Sequence, residues 1–244
     1  MKIMDKIIYL VLIIFLLLAC DKDEDEEFFD VEETSGTFVD TRDNREYKWV
    51  KVGEQIWMAE NLAYLPFVNS VETDNLEKPH FYVYGYDGTD VKVAKSSYNY
   101  SNYGVLYNWQ AAQISCPVGW HLPTDDEWKE LELELGMTIK EANEHVSPFY
   151  RGTDQGFKMK TAWGWHNNGN GNNVSGFSGL PGGFRFSNGS YSYIEGFGYW
   201  WSSTDGLNTS AWGRGLGYNN GCVIRNSFNK KNGLCVRCIK NKDK

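Results

Sequence analysis

The chain is 244 residues long, with 41% hydrophobic residues, 16% aromatic residues and a formal net charge of −8 at pH 7. This length suffices for one domain with a sizeable core. The chain has no net basic charge of the kind by which nucleic-acid-binding domains are recognised, so we expect no nucleic-acid partner.

Residues 1–19 have the pattern of a secretory signal peptide. Lys2 and Lys6 precede an unbroken apolar run of thirteen residues at 7–19. A helix needs about 20 residues to span a bilayer, so this run favours a signal segment over a membrane anchor. The next residues, Leu17-Leu18-Ala19-Cys20, resemble a lipobox. That resemblance implies cleavage before Cys20 and lipidation of its thiol and new amine; the alternative is an uncleaved anchor in which Cys20 is an ordinary thiol.

Residues 20–35 are predicted to be an acidic, disordered tether. Positions 21–33 hold nine carboxylates and one lysine, so this segment alone carries a formal charge of −8 and leaves the rest close to neutral. Self-repulsion and few apolar residues favour disorder. Acidic residues directly after a lipidated Cys resemble the surface-export signal of Bacteroidetes-type lipoproteins. We therefore expect a lipid-anchored protein on the outer face of the outer membrane, with the periplasmic face as the alternative.

Residues 36–244 are predicted to form a single domain, because no linker, fixed repeat or second charge run divides them. Dense aromatic residues and 25 glycines suit short strands joined by tight turns. The turn-forming residues 42–44 and 53–54 separate predicted strands at 37–41, 45–52 and 55–58, which predicts an N-terminal three-stranded meander. Further strands are predicted at 199–204, 211–217, 223–227 and 234–240.

Helices are expected to be few. Residues 107–114 form a short candidate, and 125–135 form the clearest one, with Thr124 as N-cap and Glu127 completing a capping box. Asp125 and Asp126 suit the positive end of that helix. A second capping box at Thr138 predicts a brief helix to about residue 145. Residues 162–198 are predicted to be mostly loop with short embedded strands.

A set of short motifs occurs along the domain in the order typical of one known family. In chain order they are Gln55-Ile56-Trp57-Met58-Ala59-Glu60-Asn61-Leu62, Tyr103-Gly104-Val105-Leu106-Tyr107-Asn108-Trp109, Cys116-Pro117-Val118-Gly119-Trp120-His121-Leu122-Pro123-Thr124-Asp125-Asp126-Glu127-Trp128, Leu180-Pro181-Gly182-Gly183, Tyr199-Trp200-Trp201-Ser202-Ser203-Thr204, Ala211-Trp212-Gly213-Arg214, and Gly233 with Val236-Arg237-Cys238.

Over residues 36–240 these motifs resemble the Fibrobacter succinogenes major paralogous domain. Its members are typically surface proteins or lipoproteins of Bacteroidetes-type bacteria, and no biochemical activity defines the family. The block at residues 119–128 is also similar to an element of formylglycine-generating-enzyme-like and C-type-lectin-like folds. The resemblance implies a compact α+β, C-type-lectin-like domain with paired N- and C-terminal strands, two or three short helices and long irregular Gly/Asn-rich loops.

Four cysteines remain if Cys20 is lipidated, an even number suited to disulfides in an oxidising compartment. Three pairings are possible. The fold resemblance implies Cys116–Cys238, and Cys222–Cys235 would then flank a predicted hairpin at 229–233. A redox or metal role for Cys235 and Cys238 is the alternative, but a Cys-x-x-Cys in a strand lacks the helix N-terminus that acidifies a thiol.

Four aromatic side chains are the candidate ligand contacts. Trp163, Trp165 and His166 lie in the predicted loop region, where a rigid scaffold commonly carries its binding residues. Adjacent strand residues face opposite sides, so one of Trp200 and Trp201 can point outward, and we choose Trp201. The competing interpretation is that these tryptophans belong to the core.

No catalytic or metal-binding pattern is recognised. The sequence has no zinc-spaced histidine pair, Gly-x-Ser-x-Gly elbow, P-loop or dinucleotide fingerprint, and it lacks the calcium-dependent lectin motifs. We therefore predict no catalytic residue, metal or cofactor. The expected function is a non-catalytic surface module that binds glycan or protein. The alternatives are an enzyme related to the formylglycine-generating class, which needs a reactive copper-binding cysteine pair, and a passive component of a surface assembly.

Lipidation gives the first prediction. Replacing Cys20 with Ala removes the acylated thiol, and two or more acyl chains are what hold such a protein at a membrane. The Cys20→Ala protein is expected in the soluble fraction of a cell lysate or in the medium, while the parent protein sediments with membranes. Continued sedimentation of the variant would contradict the lipid anchor.

Overall fold

The N-terminal meander forms as the turn residues predict. The computed structural model describes residues 33–70, 72, 76–145 and 149–242; the predicted signal peptide and most of the predicted tether lie outside them. Strand β1 (Ser35–Asp40) pairs antiparallel with β2 (Arg45–Val52), which pairs antiparallel with β3 (Gln55–Met58). Between β1 and β2, Arg42 closes the turn by donating from Nη2 to Asp40 Oδ2 at 2.6 Å.

The last strand of the chain completes the first sheet. Strand β13 (Ile239–Lys240) lies between β3 and β6 (Trp120–His121), giving the order β1-β2-β3-β13-β6. Its pairing with β3 is antiparallel, as the implied contact between the first and last strands requires. The strand predicted at 234–240 is shorter than expected. Leu234 and Cys235 form isolated bridges to Tyr107 and Trp200, because this segment crosses from one sheet to the other.

The second sheet contains the strands predicted in the C-terminal third of the chain. It has six strands in the order β7-β12-β11-β10-β8-β9, and only the β8–β10 pairing is parallel. A separate two-stranded sheet pairs β4 with β5. The strand bounds are β4 Phe81–Tyr82, β5 Leu106–Tyr107, β7 Tyr150–Arg151, β8 Gly182–Arg185, β9 Tyr191–Ile194, β10 Phe197–Asp205, β11 Ser210–Gly217 and β12 Val223–Asn229.

Six short α-helices accompany the sheets in the part of the chain that is described, which confirms the α+β class but exceeds the two or three expected. The 125–135 prediction is confirmed with its capping box: Thr124 Oγ1 accepts from Glu127 N at 3.1 Å, and Glu127 Oε2 accepts from Thr124 N at 2.8 Å. The helices are α1 Val91–Lys95, α2 Tyr98–Tyr103, α3 Trp109–Ser115, α4 Asp125–Glu134, α5 Ile139–Asn143 and α6 Gln155–Met159, with a 3-10 turn at His166–Asn168.

Aromatic rings fill the space between the two sheets. Trp57 from β3 packs against Trp128 from α4 at a centroid distance of 4.8 Å. Phe177 contacts both of these rings, and it also contacts Trp200 from β10 at 5.8 Å. All four side chains are fully buried. Because each aromatic side chain removes about 150–250 Å² from water, this cluster is a large part of the hydrophobic stabilisation.

A buried network of charged side chains fastens α4 to the second sheet. Asp125 accepts from Arg214 Nη1 and from Arg225 Nη2, each at 2.7 Å. Glu132, two turns further along α4, accepts from Arg214 Nε at 2.6 Å and from Arg151 Nη2 at 2.7 Å. All five residues are buried. The sequence had suggested only a helix-terminal role for Asp125, whereas the folded chain makes it the anchor of two arginines.

Within the described residues, one disulfide joins the end of α3 to the start of β13. Cys116, directly after α3, is bonded to Cys238, directly before β13. The predicted Cys222–Cys235 disulfide is wrong, since both thiols are free. Cys222 Sγ donates to Gly152 O at 3.3 Å, whereas Cys235 Sγ lies 3.4 Å from Asn61 Nδ2. The hairpin expected to bring them together does not form, because Cys235 instead bridges to Trp200 of β10.

The charged network gives a prediction about stability. Asp125→Asn removes the carboxylate that pairs with Arg225 and leaves Arg214 with Glu132 alone. Breaking one side of a buried pair costs about 3–5 kcal/mol of unfolding free energy. Asp126→Asn is the matched control, because the Asp126 side chain, next to Asp125 on α4, is 90% exposed. Within the described residues its ion pair is with Lys129. The control is expected to cost less than about 1 kcal/mol. Both free energies are measured by urea denaturation at pH 7.

The same pair of variants has an expected pH dependence. Burial alone would raise the pKa of Asp125, but hydrogen bonds from Arg225 and the charge of Arg214 outweigh it and hold the pKa well below its ordinary value. The stability that the carboxylate contributes is therefore full above its ordinary pKa and is lost as the pH falls through the depressed one. The difference between wild type and Asp125→Asn should shrink below about pH 4. A difference that stays constant to pH 2 would contradict this assignment.

Candidate ligand-binding cleft

A cleft of about 550 Å³ opens where three parts of the chain meet. One wall is the meander, with Arg45 and Lys48 from β2 and residues 59–61 after β3. The second wall is the end of α2 at residues 101–104, and the third is the loop at 161–180. Polar side chains and one exposed tryptophan line it. Its volume is within the range of small-molecule sites in proteins.

Gly104 allows the second wall to approach the meander. It ends α2 with a φ of +77°, which side chains with a Cβ rarely adopt. A Cβ at this position would lie 2.8 Å from Leu62 O, closer than atoms can pack. Asn61 Nδ2 donates to Tyr103 O at 3.0 Å and fixes the approach. The two motifs that contain Asn61 and Gly104 therefore meet at this wall.

Asn61 organises the floor of the cleft. Its Oδ1 accepts from Trp200 Nε1 at 2.9 Å and from Arg237 Nη2 at 3.1 Å, while its Nδ2 donates to Tyr103 O. The side chain is buried and its hydrogen-bonding groups are engaged. Asn61 therefore positions the floor and is not available to a ligand.

Arg237 lies behind the floor as a buried cation with no ion-pairing carboxylate among the residues that the structure describes. Its guanidinium donates to Asn61 Oδ1, to Ser178 O at 3.0 Å, to Met58 O at 3.2 Å and to Phe177 O. Burial lowers the pKa of Arg237 to about 9, against the opposing effect of Cys235 and Glu60. The group therefore remains charged at neutral pH.

The loop wall is held rigid by its own hydrogen bonds. Asn173 Oδ1 accepts from Ser178 N at 2.7 Å, and its Nδ2 donates to Ser178 Oγ at 2.9 Å. Thr161 Oγ1 donates to Trp163 O at 2.7 Å and accepts from Trp165 Nε1 at 3.0 Å. These side chains support the wall.

Three cleft side chains have polar or aromatic groups left for a ligand. Trp163 is 56% exposed, Lys48 is exposed, and Glu60 is half-buried. Within the described ranges, none of these side chains takes part in a hydrogen bond or an ion pair. Arg45 stands beside them and has its guanidinium 5.9 Å from the centre of the Tyr100 ring. The cleft thus presents two cations, one carboxylate and one indole ring to solvent.

Trp165 was predicted as a ligand contact, and this is wrong because the side chain is only 4% exposed. Its indole Nε1 donates to Thr161, and Lys160 Nζ lies 5.2 Å from the ring centre. Trp165 therefore plugs the interior beneath the loop, while its neighbour Trp163 reaches the cleft. The loop is irregular and has no regular alternation of buried and exposed residues, so the sequence did not indicate which of Trp163 and Trp165 would be buried.

Trp201 was also predicted as a ligand contact, and this is wrong too. It is fully buried, with Nε1 donating to Tyr107 O at 2.7 Å and its ring against Phe228. The expectation that one of two adjacent residues faces outward fails because both faces of β10 are covered. Trp200 is buried on the other side against Phe177.

His166 is exposed but lies outside the cleft lining. Its side chain is 58% exposed, and Nδ1 is 3.6 Å from Glu195 Oε2. The ring also contacts Tyr218 at a centroid distance of 6.1 Å. The structure therefore does not bring His166 together with Trp163, and only Trp163 of the four predicted contacts lines the site.

Lys160 holds the far side of the same loop and was not anticipated. Its buried Nζ donates to three backbone carbonyls, Gly169 O at 2.7 Å, Gly217 O at 2.9 Å and Asn220 O at 3.0 Å. Burial lowers the pKa of Lys160 to about 8. The ammonium group thereby ties the loop to the turn after β11.

The two free thiols have unlike surroundings. Cys235 is fully buried, and burial raises its pKa to about 12 despite the opposing charge of Arg237. Cys222 is half-buried, and burial raises its pKa as well. Both thiols are therefore protonated at neutral pH.

Among the residues described, no group of three His, Cys, Asp or Glu side chains is arranged to hold a metal ion, and no helix has the length and apolar character to cross a membrane.

The two neighbouring tryptophans give a prediction. Trp165→Ala should lower the free energy of unfolding by about 3–5 kcal/mol, as truncation of large buried side chains does. Trp163→Ala removes a mostly exposed ring and should cost less than about 1 kcal/mol. Guanidinium denaturation of both variants measures the difference. Equal losses would contradict the placement of one ring inside and the other in the cleft.

Comparison with protein-family models identifies one match, the Fibrobacter succinogenes major domain, over residues 50–240. This range includes β3, α2, the loop wall and β13, and so it contains most of the cleft. Neither the curated proteins nor the solved structures contain a match. Because the matched range covers more than half of the chain, the protein belongs to the Fibrobacter succinogenes major domain family.

Proposed function

We propose that this protein is a non-catalytic, glycan-binding module of a cell-surface lipoprotein and that it binds its ligand in the cleft. The observation that carries the proposal is the combination of Trp163, Lys48 and Glu60 at one concave site. Within the described part of the chain, none of these three side chains forms a hydrogen bond or an ion pair. A preformed cleft with a few convergent polar groups is the usual form of a small-ligand site.

The side-chain chemistry of the cleft suits a saccharide better than a peptide segment. A sugar ring has an apolar C–H face that packs on an exposed indole, which combines a large apolar surface with a polar N–H. Its hydroxyl groups need both acceptors and donors, and Glu60 and Lys48 supply one of each. The cleft volume of about 550 Å³ accommodates a short stretch of sugar rings. An apolar protein anchor would instead need a pocket of aliphatic side chains.

The fold that we propose is C-type-lectin-like. In support, the last strand β13 pairs antiparallel with β3 of the N-terminal meander, and the 161–180 loop forms one wall of the cleft. Such an arrangement places loops on a fixed scaffold, where binding residues commonly lie. The fold does not itself assign a function, so the proposal rests on the cleft.

The proposed location follows from the N-terminal residues. Lipid on Cys20 would hold the protein to the outer membrane, and the acidic residues after it would direct the domain to the cell surface, with the periplasmic face as the alternative. The membrane is then a partner through the anchor, while the cleft is left for a surface glycan.

The cysteines favour binding over the enzyme alternative. An enzyme related to the formylglycine-generating class needs two reactive thiols that bind copper together. Cys235 is buried with a raised pKa and contacts Asn61, whereas Cys222 donates to Gly152 on another part of the chain. Low thiolate content and burial make a cysteine inert. A passive structural role would leave the three available groups of the cleft without a purpose.

The proposal is tested by binding measurements with Trp163→Ala. Loss of the stacking surface should weaken glycan binding at least tenfold on a glycan array and in follow-up calorimetry, with the melting temperature nearly unchanged. Phe67→Ala is the matched control, because Phe67 is 44% exposed and lies outside the cleft lining.

Two results would contradict the proposal. The first is equal binding by Trp163→Ala and by the parent protein, which would place the ligand elsewhere. The second is an array on which the folded parent protein binds no glycan at all.

A further inference from the structure

We infer that the ligand of the cleft is an acidic saccharide, one whose sugar rings carry carboxylate groups. This inference rests on the proposed function and specifies its ligand class. Two cations at the rim and a third behind the floor face a single carboxylate, which is an unusual charge balance for a domain that is otherwise close to neutral.

The rim supplies the groups that would contact the carboxylate. Arg45 and Lys48 both lie on β2 and both line the cleft. Lys48 is exposed and forms no ion pair within the part of the chain that the structure describes. The acidic side chains of β1 and β2 have other partners: Asp40 accepts from Arg42 at 2.6 Å, and Glu46 Oε1 accepts from Thr37 Oγ1 at 3.0 Å. An ammonium group without a protein counterion favours an anion supplied by the ligand.

The floor adds a positive potential that water screens poorly. Arg237 is fully buried, and its partners Asn61 and Ser178 both line the cleft. Its N–H groups donate to Asn61 Oδ1 and to backbone carbonyls, and Glu60 acts on its charge from a distance without forming an ion pair. Interactions with a buried charge are stronger than those with an exposed one, because the effective dielectric constant is lower. The closed end of the cleft is therefore positive, and concave sites of this kind concentrate ions of the opposite sign.

Glu60 is the single opposing charge, and it decides where the carboxylate of the ligand would sit. Glu60 comes two residues after the end of β3, whereas Lys48 and Arg45 lie on β2. A ligand carboxylate would avoid Glu60 and pair with β2, while Glu60 would accept hydroxyl groups. Neutral sugars would meet the same hydroxyl acceptor but would leave Lys48 unpaired. The cleft should thus discriminate between acidic and neutral forms of one saccharide.

The inference is tested with an array of uronic-acid oligosaccharides, each printed both as the free acid and as its methyl ester. The two forms share the same sugar rings and differ only in charge. The parent protein is expected to bind the free acids at least tenfold more tightly than the esters, with an affinity that falls as salt is raised. Lys48→Gln should weaken binding of the acids about three- to tenfold more than binding of the esters, because glutamine keeps a hydrogen-bond donor but loses the charge. Lys48→Arg should retain the preference for the acids.

Lys140→Gln is the matched control, because Lys140 is an exposed lysine on α5 outside the cleft lining. It is expected to bind like the parent protein. Equal affinity for acids and esters, or identical behaviour of the Lys48 and Lys140 variants, would overturn the acidic ligand while the glycan-binding proposal stands. Absence of binding to every printed acid would also overturn the acidic ligand, whereas glycan binding itself fails only if the parent protein binds nothing on the general glycan array.

Discussion

The buried pairing of two carboxylates on α4 with three arginines from the second sheet is the constraint on which the rest of the architecture depends. Asp125 and Glu132 are on one helix, and Arg214, Arg225 and Arg151 come from three neighbouring strands. Charged groups removed from water are tolerated only in well-formed geometry, so this network admits one orientation of the helix. That orientation directs Trp128 into the aromatic cluster with Trp57 and Phe177, and through it relates the two sheets.

Two other buried cations differ from the arginines of this network in the groups that accept their hydrogen bonds. Arg237 and Lys160 are held by backbone carbonyls instead of carboxylates. A carbonyl satisfies an N–H group but leaves the net charge in place. Each arginine of the network has a carboxylate in direct contact, whereas Arg237 has none among the described residues and lies behind the floor of the cleft. Arginine thus stabilises the core in the network on α4, and it lies behind the proposed binding site at position 237.

The sequence predicted the features that are encoded locally. The capping box of Thr124 and Glu127 and the turns of the meander need only a few adjacent residues, and both form as expected. The network could not be foreseen, because Asp125 finds its partners 89 and 100 residues away. The cleft was predicted only in part: Trp163 lies in it, whereas Trp201 belongs to a strand covered on both faces. Side-chain direction in those segments depends on tertiary packing.

The position of β13 has a consequence for how the protein is made. Ile239 pairs with Trp57 in the middle of the first sheet, although about 180 residues separate them. Synthesis at about 5–20 residues per second leaves the edge of β3 without its neighbour for roughly 10–40 seconds. An unpaired edge is a template for association with other chains. The first sheet therefore closes only once residues 239–240 have been made, and until then β3 has an edge with which other chains can pair.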